Sequence, residues 1–488
     1  MDAAGLPAEP VPAEPVPAES VAAETVAKLA AVVDAAMPES VAILAGLVAH
    51  PGIAWPGFDQ LPLEESARNV QKLLHATGFP DAGIIRAADP AGSAAGTPAA
   101  PAVIAERPAS PGMPTVLLYA HHDVQPPGLL EEWLSDPFTL TERDGRLYAR
   151  GAADDKAGIL MHIAAVRALD QVLGPDHGLG LTVFIEGEEE SGSRTLPALL
   201  DEYGPRLQAD AAVVADSGSW RIGTPALTTS LRGLVDGTIE VRTLNHALHS
   251  GTYGGPLLDA LSVLARLMAT FHHDDGSVAV EGLASREAEG GSPDFDEDSF
   301  RRDAGAPPGI HLTGTGSIAS RLWNKPALTF VGLDAPPIAT AANTLLPAAS
   351  VKFSVRLAPG SNPDEAMEAV RRHVQQHTPF GAEVTFTPGA RSWPYAVGPD
   401  DPFAQMKLWA LGEAWGATAV SMGVGGSIPF VAALSQRHPR CSILVTGAED
   451  PDSRAHGANE SVHLGELRNA ILAEALFLAA LCERRPPG

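Results

Sequence analysis

The stretch Glu186-Gly-Glu-Glu-Glu-Ser-Gly-Ser193 comes directly after Leu181-Thr-Val-Phe-Ile185, an apolar run with the length of a β-strand. Its β-branched residues, and the glycines on either side, predict a buried strand that ends at three adjacent glutamates. Such carboxylates repel one another, and burying them requires a cation to offset the cost. An acidic run on its own is more often a solvated loop. The residues at the ends of the other strands therefore decide between a solvated loop and a cation site.

Other apolar segments end or begin at polar residues in the same way. Strands are predicted over 115–120, 211–215 and 442–446, and a helix opens at Asp154-Asp-Lys156 and runs to about Leu169. Continuous apolar strands separated by helices predict an α/β domain with a mostly parallel central sheet that is covered on both faces. Open sheets of this type place ligand sites at the carboxyl ends of their strands.

Five residues at these ends are candidate ligands: His121, Asp154, Glu190, Asp216 and His456. The first four are 33, 36 and 26 residues apart, about one strand–helix unit each. Neighbouring strands would therefore bring them together at one edge of the sheet. Two imidazoles and three carboxylates exceed the ligands of one tetrahedral zinc, but they suit two metal ions that share a bridging carboxylate.

A second domain is predicted over residues 228–395, inserted into the first. Its elements occur in the order β-α-β-β-α-β, which is the ferredoxin-like α+β arrangement. They are strands over 233–244, 327–333, 350–357 and 383–387, with helices over 256–272 and 363–376. The acidic, glycine-rich stretch 274–308 is expected to be a long loop. The α/β domain then comprises residues 23–227 and 396–488.

The predictions for the rest of the chain are simpler. Residues 1–22 repeat a Pro-Val-Pro-Ala-Glu unit, and a segment rich in Pro, Glu and Ala is predicted to be disordered because it cannot bury a core. Helices are predicted over about 21–50 and 63–77. Residues 88–113 are expected to form a loop, and a final amphipathic helix is expected over 464–482.

Composition excludes some classes of partner. The 488 residues include 45% hydrophobic ones, which is typical of globular proteins, and the net charge is −26. This charge argues against nucleic acid or an anionic membrane as a partner. No apolar run approaches the roughly 20 residues that span a bilayer, and the signal-peptide pattern is absent. Cys441 and Cys482 match no disulfide or metal framework, which suits a reducing compartment, so the cytoplasm is the expected location.

Six segments, in this order along the chain, carry a resemblance to a known family: Ala120-His-His-Asp-Val-Gln-Pro126, Arg150-Gly-Ala-Ala-Asp-Asp-Lys156, Glu186–Ser193, Leu248-His-Ser-Gly251, Gly425-Gly-Ser-Ile-Pro429 and Ala455-His-Gly-Ala-Asn-Glu460. They closely resemble the co-catalytic di-zinc metallopeptidases, which include cytosolic dipeptidase and carnosinase, acetylornithine deacetylase, succinyl-diaminopimelate desuccinylase and glutamate carboxypeptidase. The resemblance covers the chain after its tail. It implies a di-zinc exopeptidase-type catalytic domain, and the inserted domain would be the family's lid and dimerisation domain.

The resemblance implies a role for each candidate ligand. His121 and Asp216 would hold one divalent metal ion, Glu190 and His456 would hold a second, and Asp154 would bridge the two. Zinc is the expected metal, with manganese or cobalt as alternatives, because carboxylate and imidazole ligands accept all three.

The same resemblance implies roles for the neighbouring residues. Asp123 would orient a ligand histidine through a hydrogen bond. Glu189 would be the general base that takes the proton of the attacking water. Glu188 would be an extra charge, and neither His122 nor Asp155 would be a ligand.

The inserted domain would supply His249, Arg356 and Thr344 to the site, and Ser427 would come from the α/β domain. His249 would donate a hydrogen bond to the developing oxyanion from the other subunit of a homodimer that pairs through the lid domain. Arg356 would bind the free C-terminal carboxylate of a small peptide substrate, since a guanidinium suits a carboxylate. Ser427 and Thr344 would assist in binding the substrate.

The implied reaction is metal-dependent hydrolysis of the peptide bond of dipeptides or short peptides. His-x-Asp-Val-Gln-Pro and the segment Trp133-x-x-x-Pro-Phe138 favour the dipeptidase branch. One departure is Gly423-Val424, where dipeptidases of this type often carry Arg-Glu. One alternative is an N-acyl-amino-acid amidohydrolase with the same site. Another is an inactive relative that acts as a binding or scaffold protein, but the presence of every ligand and of the base argues against it.

Overall fold

The computed structural model describes residues 21–87, 99–287 and 293–483, so the predicted tail lies, up to residue 20, outside the described residues. The α-helices are α1 (Ala23–Val48), α2 (Leu61–Ala76), α3 (Lys156–Leu173), α4 (Leu196–Tyr203), α5 (Ser250–Tyr253), α6 (Ala260–Ala269), α7 (Glu297–Asp303), α8 (Pro363–His377), α9 (Pro402–Trp415), α10 (Pro429–Arg437) and α11 (Leu464–Glu483).

The strands are β1 (Gly83–Ile85), β2 (Ala102–Arg107), β3 (Thr115–His121), β4 (Thr141–Arg143), β5 (Arg146–Tyr148), β6 (Gly180–Glu186), β7 (Ala211–Val214), β8 (Ala226–Leu231), β9 (Gly233–Arg242), β10 (Leu248–His249), β11 (Ala327–Asp334), β12 (Thr344–Leu345), β13 (Ala348–Leu357), β14 (Glu383–Ser392), β15 (Tyr395–Ala396), β16 (Val420–Val424), β17 (Ser442–Val445) and β18 (Ser461–His463).

The chain divides into two compact units. The first contains the described residues up to Leu227, Val397–Ala419 and those from Arg440 onward, and the second contains Thr228–Ala396 and Val420–Pro439. Residues 420–439 were predicted to belong to the catalytic domain, and the structure corrects this. They join the second unit because Gly423 packs closely on Trp323 and because Arg232 donates a hydrogen bond to the Gly425 carbonyl at 3.1 Å.

A parallel sheet forms the centre of the first unit, as predicted. Strands β6, β3, β7 and β17 lie side by side in this order and run parallel. The predicted loop over 88–113 is wrong for residues 102–107, which form β2 and pair antiparallel with β6. The short apolar run of β2 stands between Ala- and Pro-rich segments, and their composition concealed it. Because β3 and β6 are in register, His121 lies opposite Glu186 at the shared carboxyl end.

Helices α1, α3, α9 and α11 pack against one another in the core of this unit. By length and composition alone α1 could cross a membrane, which is an exception to the prediction that no apolar run approaches such a length. In the structure α1 buries Leu29, Val33 and Leu44 in the core, and its Asp34 accepts a hydrogen bond from Arg468 of α11 at 2.7 Å. Its apolar face is therefore part of the packing of the first unit.

The second unit contains the predicted β-α-β-β-α-β arrangement. Its four-stranded antiparallel sheet has the order β11-β13-β9-β14, and α6 and α8 pack on it. Burial alternates along β9, so one face of the sheet and the two helices enclose a separate core. Each helix begins at a side-chain cap, Asp259 for α6 and Asn362 for α8. The predicted loop over 274–308 contains the short helix α7.

The start of α3 leaves no room for a side chain at Gly158. A Cβ atom there would lie 2.8 Å from the Ala215 Cβ and 2.9 Å from the Ala215 carbonyl oxygen. We expect Gly158→Ala to lower the free energy of unfolding by about 1–3 kcal/mol through overpacking. Gly46→Ala is the matched control, because Gly46 lies in α1 with no heavy atom within 4 Å of the new Cβ. It should raise stability by up to about 1 kcal/mol. Urea unfolding would measure both, and equal stability of the two variants would contradict this account of the packing.

Candidate metal centre

The five predicted ligands lie in two groups that share one residue. His121, Asp154 and Asp216 form the first group, and Asp154, Glu190 and His456 form the second. Within each group the candidate ligand atoms lie within 4.8 Å of one another. All five residues belong to the first unit. Two three-residue groups joined through Asp154 could hold two cations that share one carboxylate.

Asp154 lies between the two imidazoles. Its Oδ1 is 3.0 Å from His121 Nε2, and its Oδ2 is 3.0 Å from His456 Nε2. Burial alone would raise the pKa of the Asp154 carboxyl, but the hydrogen bonds to His121 and His456 outweigh burial and hold this pKa below its usual value. One oxygen therefore faces each group, which is the geometry that a bridging ligand requires.

His121 is the last residue of β3 and is buried. Burial lowers the pKa of its imidazole, but hydrogen bonds to Asp123 and Asp154 outweigh this, and the pKa lies well above the usual value. Asp216 lies just after β7 and is half-buried. Burial and the charge of Asp154 raise the pKa of Asp216 to about 7. Carboxylates that raise one another's pKa in this way provide an electrostatically favourable place for a cation.

The second group is held by a glutamine. The Gln125 amide nitrogen donates to the Glu190 carboxylate at 2.8 Å and to the Glu190 carbonyl at 3.1 Å, and the Gln125 backbone N–H donates to the carboxylate at 3.2 Å. His456 Nε2 lies 3.1 Å from Glu190 Oε2. The His456 side chain is 58% exposed, so this group is open to solvent on one side. Hydrogen bonds to Asp154 and Glu190 raise the pKa of His456 to about 10.

Asp123 orders the glutamate turn. It was expected to orient His121, and the His121 Nδ1 atom lies 3.4 Å from the Asp123 carboxylate and 3.1 Å from the Asp123 carbonyl oxygen. The two carboxylate oxygens also accept hydrogen bonds from the backbone N–H groups of Glu189 and Glu190, both at 3.1 Å. Asp123 therefore positions the turn that carries the predicted base and one predicted ligand.

Glu460 holds the loop that presents Asp154. Its carboxylate accepts hydrogen bonds from the backbone N–H groups of Gly151, Ala153 and Asp154 at 2.9–3.1 Å, and from Arg150 Nη1 at 2.6 Å. Both Arg150 and Glu460 are buried. The motif around Glu460 was visible in the sequence, but no local pattern indicated that its carboxylate binds a loop about 300 residues earlier.

The three glutamates occupy different environments. The buried Glu188 carboxylate accepts a hydrogen bond from the backbone N–H of Thr195, and Glu190 is held by Gln125. No described residue donates a hydrogen bond to the half-buried Glu189 carboxylate. Burial, followed by the charge of Asp216, raises the pKa of Glu189 to about 9. Within the described structure, Glu189 is thus the member of the run whose carboxylate accepts no hydrogen bond.

The predicted site residues of the second unit form two pairs. His249 lies opposite Thr344 in the two-stranded sheet of β10 and β12. Arg356 Nη1 lies 3.4 Å from Ser427 Oγ. Arg232, which was not predicted as a site residue, is nearly buried, and burial and the charge of Arg356 lower its pKa to about 10. Two mutually unfavourable guanidinium groups beside a serine provide suitable chemistry for an anionic group.

The donor sets fit divalent cations. Each group offers one imidazole nitrogen and carboxylate oxygens, which suit zinc, manganese or cobalt. Asp154 is common to both groups. The hydrogen bonds that Gln125 makes to Glu190, and that Glu460 accepts from the Asp154 backbone, hold these two ligands in place.

Comparisons with known proteins agree on one family. The sequence profile of peptidase family M20/M25/M40 matches residues 117–480. The chain is 36% identical over 369 residues to a cysteinylglycine-S-conjugate dipeptidase of Corynebacterium striatum, covering 75% of this chain and 80% of that protein. It is 29% identical over 407 residues to the Cys-Gly metallodipeptidase dug1 of Schizosaccharomyces pombe, covering 80% and 84%. The crystal structure of human carnosine dipeptidase 1 matches with a TM-score of 0.74 and 25% identity, covering 93% and 98%.

The shared position of Asp154 predicts unequal effects of ligand loss. Asp154→Asn should leave close to no retained metal, because each group loses an anionic ligand, whereas His456→Ala should retain about one ion per chain. Elemental analysis after dialysis would measure both. Asp144→Asn, in an exposed turn, is the control for loss of one carboxylate. Full metal content in Asp154→Asn would show that the bridging assignment is wrong.

Proposed function

The chain belongs to peptidase family M20/M25/M40, and on that basis we propose that it hydrolyses the peptide bond of dipeptides or short peptides with a free C-terminal carboxylate. It is a metallopeptidase-type hydrolase that uses divalent metal. The observation that carries the proposal is the pair of ligand groups joined through Asp154, together with the Glu189 carboxylate, which accepts no hydrogen bond from any described residue. The bacterial and yeast relatives are dipeptidases, which favours peptide hydrolysis over the alternative of N-acyl-amino-acid hydrolysis.

The proposed metal content is two ions per chain, with zinc as the first choice. His121 and Asp216 would hold one ion, Glu190 and His456 the other, and Asp154 both; their grouping supports this assignment. When bound, such ions polarise an amide carbonyl and acidify a water molecule.

Glu189 is the proposed general base. It would accept the proton of the water that attacks the carbonyl carbon, which its position in the glutamate turn and its lack of another partner among the described residues support. Asp123 would keep this carboxylate in place through the backbone of the turn.

Arg356 is the proposed partner of the substrate's C-terminal carboxylate, with Ser427 as a second donor. The 3.4 Å contact between the two side chains supports this pairing. Arg232 adds a further positive charge to the same part of the second unit. These groups would suit a substrate that carries a free carboxylate, as a dipeptide does.

A Glu189→Gln substitution tests the base. It should lower kcat by about 10²–10⁴-fold because it removes the proton acceptor while keeping the shape of the side chain. Metal content should stay at the wild-type value. Glu188→Gln is the matched control, since Glu188 accepts a hydrogen bond from Thr195, and its kcat should change by no more than a few-fold. A larger loss of kcat in Glu188→Gln than in Glu189→Gln would show that Glu188, and not Glu189, is the base.

A homodimer through the second unit is also proposed. Strand β11 lies at one edge of the four-stranded sheet and exposes Val331 and Leu333 to 56% and 52%. Exposed edges with apolar side chains favour pairing with a second chain. His249 is exposed at the end of β10 and would donate a hydrogen bond to the oxyanion of the partner's active site. A cytoplasmic location stays a prediction; Cys441 and Cys482 are both free thiols.

Complementation tests the proposed role of His249 across the dimer. His249→Ala and Glu189→Gln homodimers should each be nearly inactive, with the loss of an oxyanion donor costing about 10²–10³-fold in kcat. After subunit exchange, heterodimers should contain one site with both an intact Glu189 and an intact His249, and should recover close to half of the wild-type activity. Mass measurement would verify the exchange. If verified heterodimers recovered no activity, His249 would act within its own subunit or outside the chemistry.

A further inference from the structure

Glu449 has no role in the metal centre or in the proposed hydrolysis. It lies after β17, where a parallel bridge pairs it with Gly218. Its backbone N–H donates to the Ser217 carbonyl at 3.3 Å, and its carbonyl accepts a hydrogen bond from the Ser219 N–H at 2.8 Å. This pairing holds Glu449 beside the segment that begins with the predicted metal ligand Asp216. The residue as a whole is half-buried.

Four other carboxylates of this region have a partner within the protein. Asp123 accepts two backbone N–H groups, Asp155 accepts the His121 N–H, Asp450 forms an ion pair with Arg146, and Glu460 binds Arg150. Among the residues that the structure describes, none forms a hydrogen bond or ion pair with the Glu449 carboxylate. Burial raises the pKa of Glu449, and the charges of Asp154 and Asp216 raise it further, so the carboxylates of the metal centre lie within electrostatic range.

The N-terminal ammonium group of a dipeptide is a cation that such a carboxylate could bind. The α-nitrogen of the first residue is about 2.5 Å from the scissile carbonyl carbon, because the two atoms are joined only through Cα. When that carbonyl lies at the metal centre, the ammonium group must therefore lie beside the metal ligands. Asp154, Glu190 and Asp216 would be neutralised by the ions they hold. An ammonium in this position needs a further anion.

We propose that Glu449 binds the α-ammonium group of the substrate and thereby selects peptides with a free N-terminus. This inference rests on the proposed dipeptide hydrolysis. It assigns a binding residue to the N-terminal end of the substrate, whereas the proposed function assigned one to the C-terminal carboxylate. Glu449 is a substrate-binding residue in this account and takes no part in proton transfer, which belongs to Glu189.

Matched substrates and inhibitors test the proposal on the metal-loaded enzyme. Ala-Gly and propionyl-glycine differ only in the amino group, as does a pair of phosphinic dipeptide mimics made with and without it. Wild type should bind the amino form of the mimic at least about 30-fold more tightly, and Glu449→Gln should reduce this preference to within about threefold. The variant should also lower kcat/KM for Ala-Gly by about 30-fold or more, while hydrolysis of propionyl-glycine should change by less than about threefold.

Controls separate the possible outcomes. Asp452→Asn removes an exposed carboxylate from the same loop and should keep the wild-type preference. Glu449→Asp keeps the charge and should retain part of the preference for the amino form. It therefore replaces Glu449→Gln as the test variant if Glu449→Gln does not fold. An unchanged preference in Glu449→Gln, or loss of metal by elemental analysis, would overturn the inference. Hydrolysis of Ala-Gly by wild type tests the proposed function separately, and its failure would overturn that function whatever the variants show.

Discussion

The candidate site depends on one carboxylate that faces two imidazoles. Asp154 directs one oxygen at His121 and the other at His456, each at 3.0 Å. His121 is the end of a central strand, whereas His456 lies on a loop more than 300 residues later. Asp154 therefore joins distant parts of the first unit. Because burying several carboxylates together is costly without positive charge, the surrounding structure has to hold this arrangement in place.

That support comes mainly from buried side chains that accept hydrogen bonds from the backbone. Glu460 binds the N–H groups of the Asp154 loop, and Asp123 binds those of the glutamate turn. Gln125 adds donors to the carboxylate of Glu190 itself. Each of these contacts restricts the position of a predicted ligand or of the predicted base. Hydrogen bonds from the residues around a metal centre set the orientation of its ligands.

The same environment distinguishes carboxylates that look alike in the sequence. Glu188 and Glu190 have partners, whereas no described residue donates a hydrogen bond to the carboxylate of Glu189, the proposed base. Asp450 pairs with Arg146, whereas the adjacent Glu449 is left for a cationic group of the substrate. In both cases the proposed function belongs to the acid whose charge the described part of the protein does not already use. A dipeptide with a free ammonium and a free carboxylate matches this distribution of unused charge.

The amino-acid sequence by itself determined the strands that end at His121, at Glu186 and just before Asp216, the ferredoxin-like order of the second unit and the residues that could bind metal. These depend on apolar runs, alternation and residue type, which are local properties of the chain. The sequence did not reveal β2, the membership of residues 420–439 in the second unit, or the partners of Glu460 and Asp123. Only the tertiary structure decided these, because they depend on contacts between segments far apart in the chain, where the hydrogen-bond partner of a buried group determines its role.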